Sequence, residues 1–309
     1  MRILHVTPTY LPAVRHGGPI FAVHGLCRAL AARGHELQVF TTNRDGPGIT
    51  PTPIATPVDL DGVQIRYFAI PLLRRLYWAP ALGRALNHEI GKLDIVHVHT
   101  VFLWPIWAAA RAARRAGVPY VLSPRGCLVK DLIARRSRLA KSACIYLIER
   151  SNVEQAAALH LTSELERIEL ECFGWQLPRL AVIPNAIDEP ISVTGNIASD
   201  VEAIASEQPL VLFLGRLSWK KGLDRLLRAF AHTQSATLAV VGPDDEKFAP
   251  KLVKLVAELR SGIEFASCPA PLSGPKRSVY SRQRGCLYCL RTRKTLVIQC
   301  SRRCGAAFR

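Results

Sequence analysis

Residues 1–42 read MRILHVTPTYLPAVRHGGPIFAVHGLCRALAARGHELQVFTT, and this stretch decides the fold. Ile3–Val6 is a short apolar strand, and Thr7–Gly18 is a loop punctuated by Pro8, Pro12, Gly17 and Gly18. Pro19 opens a helix at the position where a missing N–H costs nothing, and Gly34 closes it. Ile20, Val23, Leu26 and Leu30 keep one face of that helix apolar. Glu36–Thr41 is the next strand, so strand, helix and strand follow in the order of a parallel α/β unit.

The alternation continues downstream. Val63–Phe68 follows the turn pair Asp61-Gly62; Asp94–His99, Pro119–Leu122, Leu159–Thr162 and Leu180–Ile183 are further strands. Trp104–Ala116 is a helix ended by Gly117, and Leu128–Arg150 reads as one long basic amphipathic helix. A polar stretch with Pro190 and Gly195 separates a second series: Leu210–Leu214, Leu223–Ala231, Thr237–Val241, Ala249–Leu259 and a short strand at Ile263–Phe265. The fold class is therefore α/β. Its expected divisions are a first domain over 1–188, a linker over 189–208, a partial second domain over 209–265 and a tail over 266–309.

The chain has 309 residues, a hydrophobic fraction of 49% and a net charge of +17. Global disorder is excluded by that apolar fraction. The opening residues run straight into a strand, with neither an apolar signal core nor a spanning-length apolar run. A cytoplasmic protein with reduced thiols is expected. Charge and cysteine are unevenly spread: residues 262–309 hold ten Lys or Arg, one acid (Glu264) and five of the nine cysteines.

Several motifs carry chemistry. Gly17-Gly18-Pro19, between a first strand and a helix start, reads first as a plain turn and second as a site for an anion on free backbone amides. Gly215-Arg216-Leu217-Ser218-Trp219-Lys220-Lys221-Gly222 follows a strand, at the end where open α/β sheets bind ligands. Arg216 offers a planar fork and Lys221 a point charge, a pairing that suits a diphosphate; a solvated basic turn is the bland alternative. His97 and His99 share one face of a strand, as sugar contacts, acid/base groups or a structural pair. Arg135, Arg136, Arg138 and Lys141 beside Leu132, Ile133 and Leu139 suit an anionic membrane surface or an ordinary solvated face. Cys286-x2-Cys289 and Cys300-x3-Cys304 have the outline of a zinc ribbon, which with the basic tail makes a nucleic-acid-binding protein the alternative function.

Met1–Tyr10 with Gly17-Gly18, Asp94–His99, Val182–Asp188, Gly215-Arg216-Leu217 with Lys221-Gly222, and Val241-Gly242-Pro243 together resemble family 4 glycosyltransferases. That resemblance implies a GT-B fold of two Rossmann-like domains, the second incomplete here. It implies sugar transfer from a nucleotide-sugar donor, with retention and without metal or other cofactor. The acceptor would be a glycan or lipid-linked intermediate, handled by the first domain, with peripheral membrane contact and no nucleic-acid partner. Arg216 and Lys221 would stabilise the leaving diphosphate, electrostatic catalysis where charge develops. Gly17, Gly18, His97, Arg125, Asn185, Gly215 and Gly242 would line the substrate sites. The segment Ser123-Pro124-Arg125-Gly126 carries Arg125 where many members carry histidine, and His99 is the stand-in for that residue.

The family's Glu-x7-Glu signature is absent, and no acid follows Glu264. Codons for Cys286–Cys304 can be chosen so that the frame shifted by one base reads FVLPTDSENFGNSVLEAM, which contains a Glu, seven residues and a Glu. The expectation is that the stretch from about Cys268 is an out-of-frame reading, that it is disordered, and that a truncated second domain leaves the protein inactive.

Overall fold

The computed structural model describes residues 1–14, 18–130, 133, 144–186, 210–233, 237–242, 244, 246–259, 263–267 and 296–300. The chain forms two compact units, Met1–Ile187 and Asp188–Arg309.

The first unit is built on an eight-stranded sheet. Its strands are β1 (Arg2–Val6), β2 (Glu36–Thr42), β5 (Val58–Leu60), β6 (Val63–Phe68), β7 (Ile95–His99), β8 (Tyr120–Ser123), β9 (Ala158–Leu161) and β10 (Arg179–Val182), in the order β10-β9-β8-β7-β1-β2-β6-β5. All neighbours are parallel except β5 and β6. A separate two-stranded hairpin joins β3 (Arg44–Asp45) to β4 (Gly48–Ile49). The turn pair Asp61-Gly62 closes the β5–β6 hairpin; β5 and the β3–β4 hairpin are too short to show a period in the sequence.

Period-two alternation sends side chains of each strand to opposite faces. Leu4, Val6, Val96, Val98, Leu122 and Leu159 form one buried cluster with Leu82 and Leu86 of helix α2 (Pro80–Glu89) and Ile106 and Ala110 of α3 (Trp104–Ala116). Ile3, Leu37, Val39 and Ile65 point the other way, onto Val23 and Cys27 of α1 (Gly18–Ala31). Each such aliphatic side chain contributes about 1.5–3 kcal/mol by leaving water. α1 begins at Gly18, so the expected loop ends one residue earlier than read. Gly17 lies outside the described residues.

Most of the expected Leu128–Arg150 helix, including Arg135, Arg136, Arg138 and Lys141, lies outside the described residues. Its end is described and differs from the expectation. Ile145–Glu149 is a single wide turn with i to i+5 hydrogen bonding, and it runs on as α4 (Arg150–Glu154), past Arg150. α5 (Glu164–Glu171) starts at Ser163, whose hydroxyl accepts the Glu166 N–H.

In the second unit, β11 (Leu210–Leu214) and β12 (Thr237–Val241) are parallel, as expected. Leu223, Leu227 and Phe230 of α6 (Leu223–Phe230) and Leu252 and Val256 of α7 (Ala249–Glu258) bury Leu238 and Val240 of β12. The tail is not wholly disordered: Leu296–Cys300 is a strand, β14, antiparallel both to β12 and to β13 (Ile263–Ser267), giving the order β11-β12-β14-β13. The reason is local. Leu296-Val297-Ile298 has high strand propensity, and β12 offers an unpaired edge that such a segment satisfies. The linker 189–208 and the rest of the tail lie outside the described residues.

Candidate functional site

The carboxyl ends of β7 and β8 carry a cluster of imidazoles around one guanidinium. Strand register builds it: His5 is the neighbour of His97, and His99 of Ser123. These residues alternate with Leu4, Val6, Val96 and Val98, so they occupy the face opposite the larger core cluster. His5 Nδ1 lies 2.9 Å from His99 Nε2, and His97 Nε2 lies 2.7 Å from Ser123 Oγ. The His97 and His99 rings are 4.1 Å apart, and His160 of β9 is 5.4 Å from His97.

Arg125 stands two residues beyond β8 with a left-handed backbone, φ 53°. Its Nη1 donates to Asn185 Oδ1 at 2.7 Å, and its Nη2 and Nε reach His99 Nδ1 at 3.3 and 3.4 Å. The turn is anchored from below by Glu166, which is buried and accepts the Gly126 N–H and the Thr162 N–H and hydroxyl. His97, His99, Arg125 and Asn185, separate in sequence, are thus brought into one group.

Protonation in this cluster follows from the partners. Burial, then the neighbouring Arg125 and His160, holds His5 down to about 3. Burial and the adjacent imidazoles hold His97 and His99 well below the ordinary histidine value. All three are neutral at pH 7. A guanidinium only donates, so His99 Nδ1 is an acceptor and its proton sits on Nε2. That proton is donated to His5 Nδ1, which leaves the His5 proton on Nε2, buried and without a partner among the described residues.

His5, His97 and His99 each offer a nitrogen, all within 4.8 Å, so the expectation of no metal needs a chemical test. A metal-bound imidazole normally donates its other N–H to an acceptor. Here His99 Nδ1 faces a donor, and the nitrogen nearest its neighbours carries the proton. The residues fit a proton-ordered hydrogen-bond chain next to a positive charge, suited to hydroxyls or an anionic group, rather than a cation centre.

Two buried carboxylates escaped the sequence reading, Glu166 under the Arg125 turn and Glu149. The loop after β7 contains Thr100 and Phe102 with φ of 75° and 66°, strained for residues with a Cβ. Glu149, on the wide turn Ile145–Glu149, accepts the Phe102 N–H and the Trp107 indole N–H, each at 2.6 Å. Burial raises its carboxyl pKa. The one available signal was a lone acid in the apolar run Ile145-Tyr146-Leu147-Ile148.

The second unit carries the basic turn. Leu217 is buried, Arg216, Lys220 and Lys221 are exposed, and Gly222 closes the turn with φ 65°. Ser218 Oγ donates to Glu246 Oε2 at 3.2 Å, and the Ser218 carbonyl accepts the Lys221 N–H at 3.0 Å. Gly242 is set against Gly215: a Cβ on Gly242 would lie 1.8 Å from the Gly215 carbonyl oxygen. Gly215, the Arg216 backbone and Gly242 therefore meet at the ends of β11 and β12, and Lys221 stands in the turn that follows Arg216. Gly18 differs, since a Cβ there would meet nothing within 4 Å. Of the four ribbon cysteines only Cys300 is described, as the last residue of β14.

Comparison with known proteins follows the same division. A glycosyl transferase 4-like domain matches residues 17–186, and a glycosyl transferases group 1 domain matches residues 196–266. An uncharacterised glycosyltransferase of Methanocaldococcus jannaschii is 25% identical over 265 residues, covering 79% of this chain and 64% of that protein. The D-inositol 3-phosphate glycosyltransferase of Mycolicibacterium smegmatis is 26% identical over 270 residues, covering 83% and 62%. The chain thus spans less than two thirds of the length of either relative. Sucrose-phosphate synthase from Thermosynechococcus elongatus superposes with a TM-score of 0.62 at 19% identity, covering 84% of this chain and 67% of that one. Anabaena Alr3699/HepE in complex with UDP-glucose gives 0.57 at 17%, covering 84% and 66%. These likenesses show the GT-B fold, with the second unit partly covered. With more than half of its residues inside a glycosyl transferase 4-like domain, the chain belongs to the glycosyltransferases of that family.

Proposed function

We propose that this protein descends from, and is built to act as, a transferase that moves a sugar from a nucleotide-sugar donor to a glycan or lipid-linked acceptor with retention. The observation that carries the donor assignment is the second unit's turn, where Arg216 and Lys221 are exposed and the turn opens on Gly215, whose backbone abuts Gly242. Backbone without side chains and two cations suit a diphosphate. The HepE structure holding UDP-glucose supports the same chemistry by likeness of fold. The first unit would receive the acceptor at His97, His99, Arg125 and Asn185, neutral imidazoles for hydroxyls and a guanidinium for negative charge. The names of the inositol-phosphate relatives agree with an acceptor of that kind.

Titration of UDP and GDP tests the donor assignment. Changing Arg216 or Lys221 to Ala should weaken binding by about 1.5–3 kcal/mol, the scale of charged hydrogen bonds. Unchanged affinities would remove both residues from the site. Residues 266–309 we read as out of frame, because the group 1 match stops at 266, where acids vanish and cysteine and arginine accumulate. The sequence as it stands should then lack transfer activity. Codons that forbid the shifted reading, or turnover by this chain, would refute that part. Peripheral membrane contact through the basic segment around Arg135–Lys141 completes the proposal.

A further inference from the structure

The loop between β6 and α2 exposes six residues in succession, Pro71-Leu72-Leu73-Arg74-Arg75-Leu76. Leu72 is 64% exposed, Leu73 61% and Leu76 39%. Exposed leucines scattered singly need no explanation; three within five residues do. The loop is nonetheless ordered by its own bonds. Leu76 N–H donates to the Leu73 carbonyl at 2.8 Å, and Trp104 N–H, at the start of α3, donates to the Leu76 carbonyl at 2.9 Å. The Arg44 guanidinium lies over the Tyr77 ring at 5.6 Å and ties the loop to the β3–β4 hairpin. In that hairpin Ile49, the register partner of Arg44, is 71% exposed.

Leu73 and Tyr77 hold left-handed backbones, φ 48° and 57°. A bulky residue in that region costs free energy, and such outliers persist where the surroundings enforce them. Here the enforced shape turns apolar side chains into water, the reverse of what stability alone selects. Neither Arg74 nor Arg75 is in an ion pair among the described residues.

We propose that the 71–77 loop is an interfacial anchor: Leu72, Leu73 and Leu76 enter the headgroup boundary of an anionic bilayer, and Arg74 and Arg75 bind its phosphates. Charge complementarity selects this occupant. A second copy docking the same loop would set four arginines against each other. A bilayer needs no matching pocket, whereas a protein partner must supply one for a protruding tip. Half-buried Tyr77 and Trp78 flank the tip, as aromatic side chains do at membrane interfaces. No described helix is long and apolar enough to cross a membrane, and this contact requires none. The inference deepens the membrane contact proposed above and places it on a different element.

Co-sedimentation with vesicles of phosphatidylglycerol and phosphatidylcholine, against phosphatidylcholine alone, tests it. The full chain should bind the anionic vesicles and lose binding as salt rises. L72D/L73D should bind roughly ten-fold less or worse, and Arg74→Ala and Arg75→Ala about five-fold less each. Urea unfolding of every variant checks that the first unit is still folded. Retention of vesicle binding by L72D/L73D, with its loss in R135A/R136A, would overturn the loop and leave the basic segment as the anchor. Equal binding to both vesicle types, or none, would overturn both. Self-association of the chain abolished by L72D/L73D would instead assign the loop to a second copy.

Discussion

The two units hold their charged groups in opposite ways. In the first, Arg125 is clasped by Asn185 and His99, and its turn is propped by buried Glu166, so the positive charge is positioned before any ligand arrives. In the second, Arg216 and Lys221 stand exposed, and the close contact is between backbones, Gly215 against Gly242. Charged groups can thus be set in place through side chains or through main chain. The first kind responds to protons, the second to added volume.

The largest expected effect separates the units by pH. His5 is held to about 3 when folded and titrates near its ordinary value of 6.5 when unfolded. A depressed base contributes stability above the unfolded value and loses it as pH falls toward the folded one. The first unit should lose about 4 kcal/mol between pH 6.5 and pH 3 from this residue. Urea unfolding across that range, in wild type and in His5→Asn, measures it. Equal slopes for the two would break the comparison.

Volume should act on the second unit instead. Gly242→Ala places a Cβ against the Gly215 carbonyl and should cost about 3 kcal/mol with loss of UDP binding. Thermal unfolding with a nucleotide titration reads both, and a neutral result would mean the two glycine backbones do not abut.

Glu149→Ala should cost about 2 kcal/mol by leaving the Phe102 and Trp107 N–H groups unpaired, and Glu149→Gln, which keeps an acceptor, less. The carboxyl value is raised by burial, so its ionised form opposes folding above that value. Wild type should therefore gain stability relative to Glu149→Gln as pH is lowered through the raised value.

The smallest contrast lies in the ion pairs. Arg66 and Glu89 in the first unit make a two-point contact at 2.6 and 2.7 Å with both side chains mostly covered. Lys254 and Glu258 in the second are 4.0 Å apart, with Lys254 79% exposed. Glu89→Ala should cost about 1–2 kcal/mol and Lys254→Ala less than about 0.5. Chemical denaturation in low and high salt would rank them, and a reversed order would contradict the assignment of burial.

The sequence by itself determined the elements with a long period and clear punctuation. β1, α1, β2, β6, β7 and α3 lie within a residue or so of where Gly, Pro and apolar spacing set them. It also placed His97 and His99 on one face, and Gly215 to Gly222 after a strand, since both follow from local geometry. What it did not carry was pairing. That His5 meets His99, that Arg125 sits on His99, and that Glu149 reaches Phe102 depend on contacts 26 to 94 residues apart in the chain. Only strand register and crossover packing bring such groups together. Leu296–Cys300 illustrates the same limit, because its strand propensity was visible but its antiparallel place between β12 and β13 was set by the edge left open to it. Local chemistry writes which residues can act, and the long-range ladder of backbone hydrogen bonds decides which of them touch.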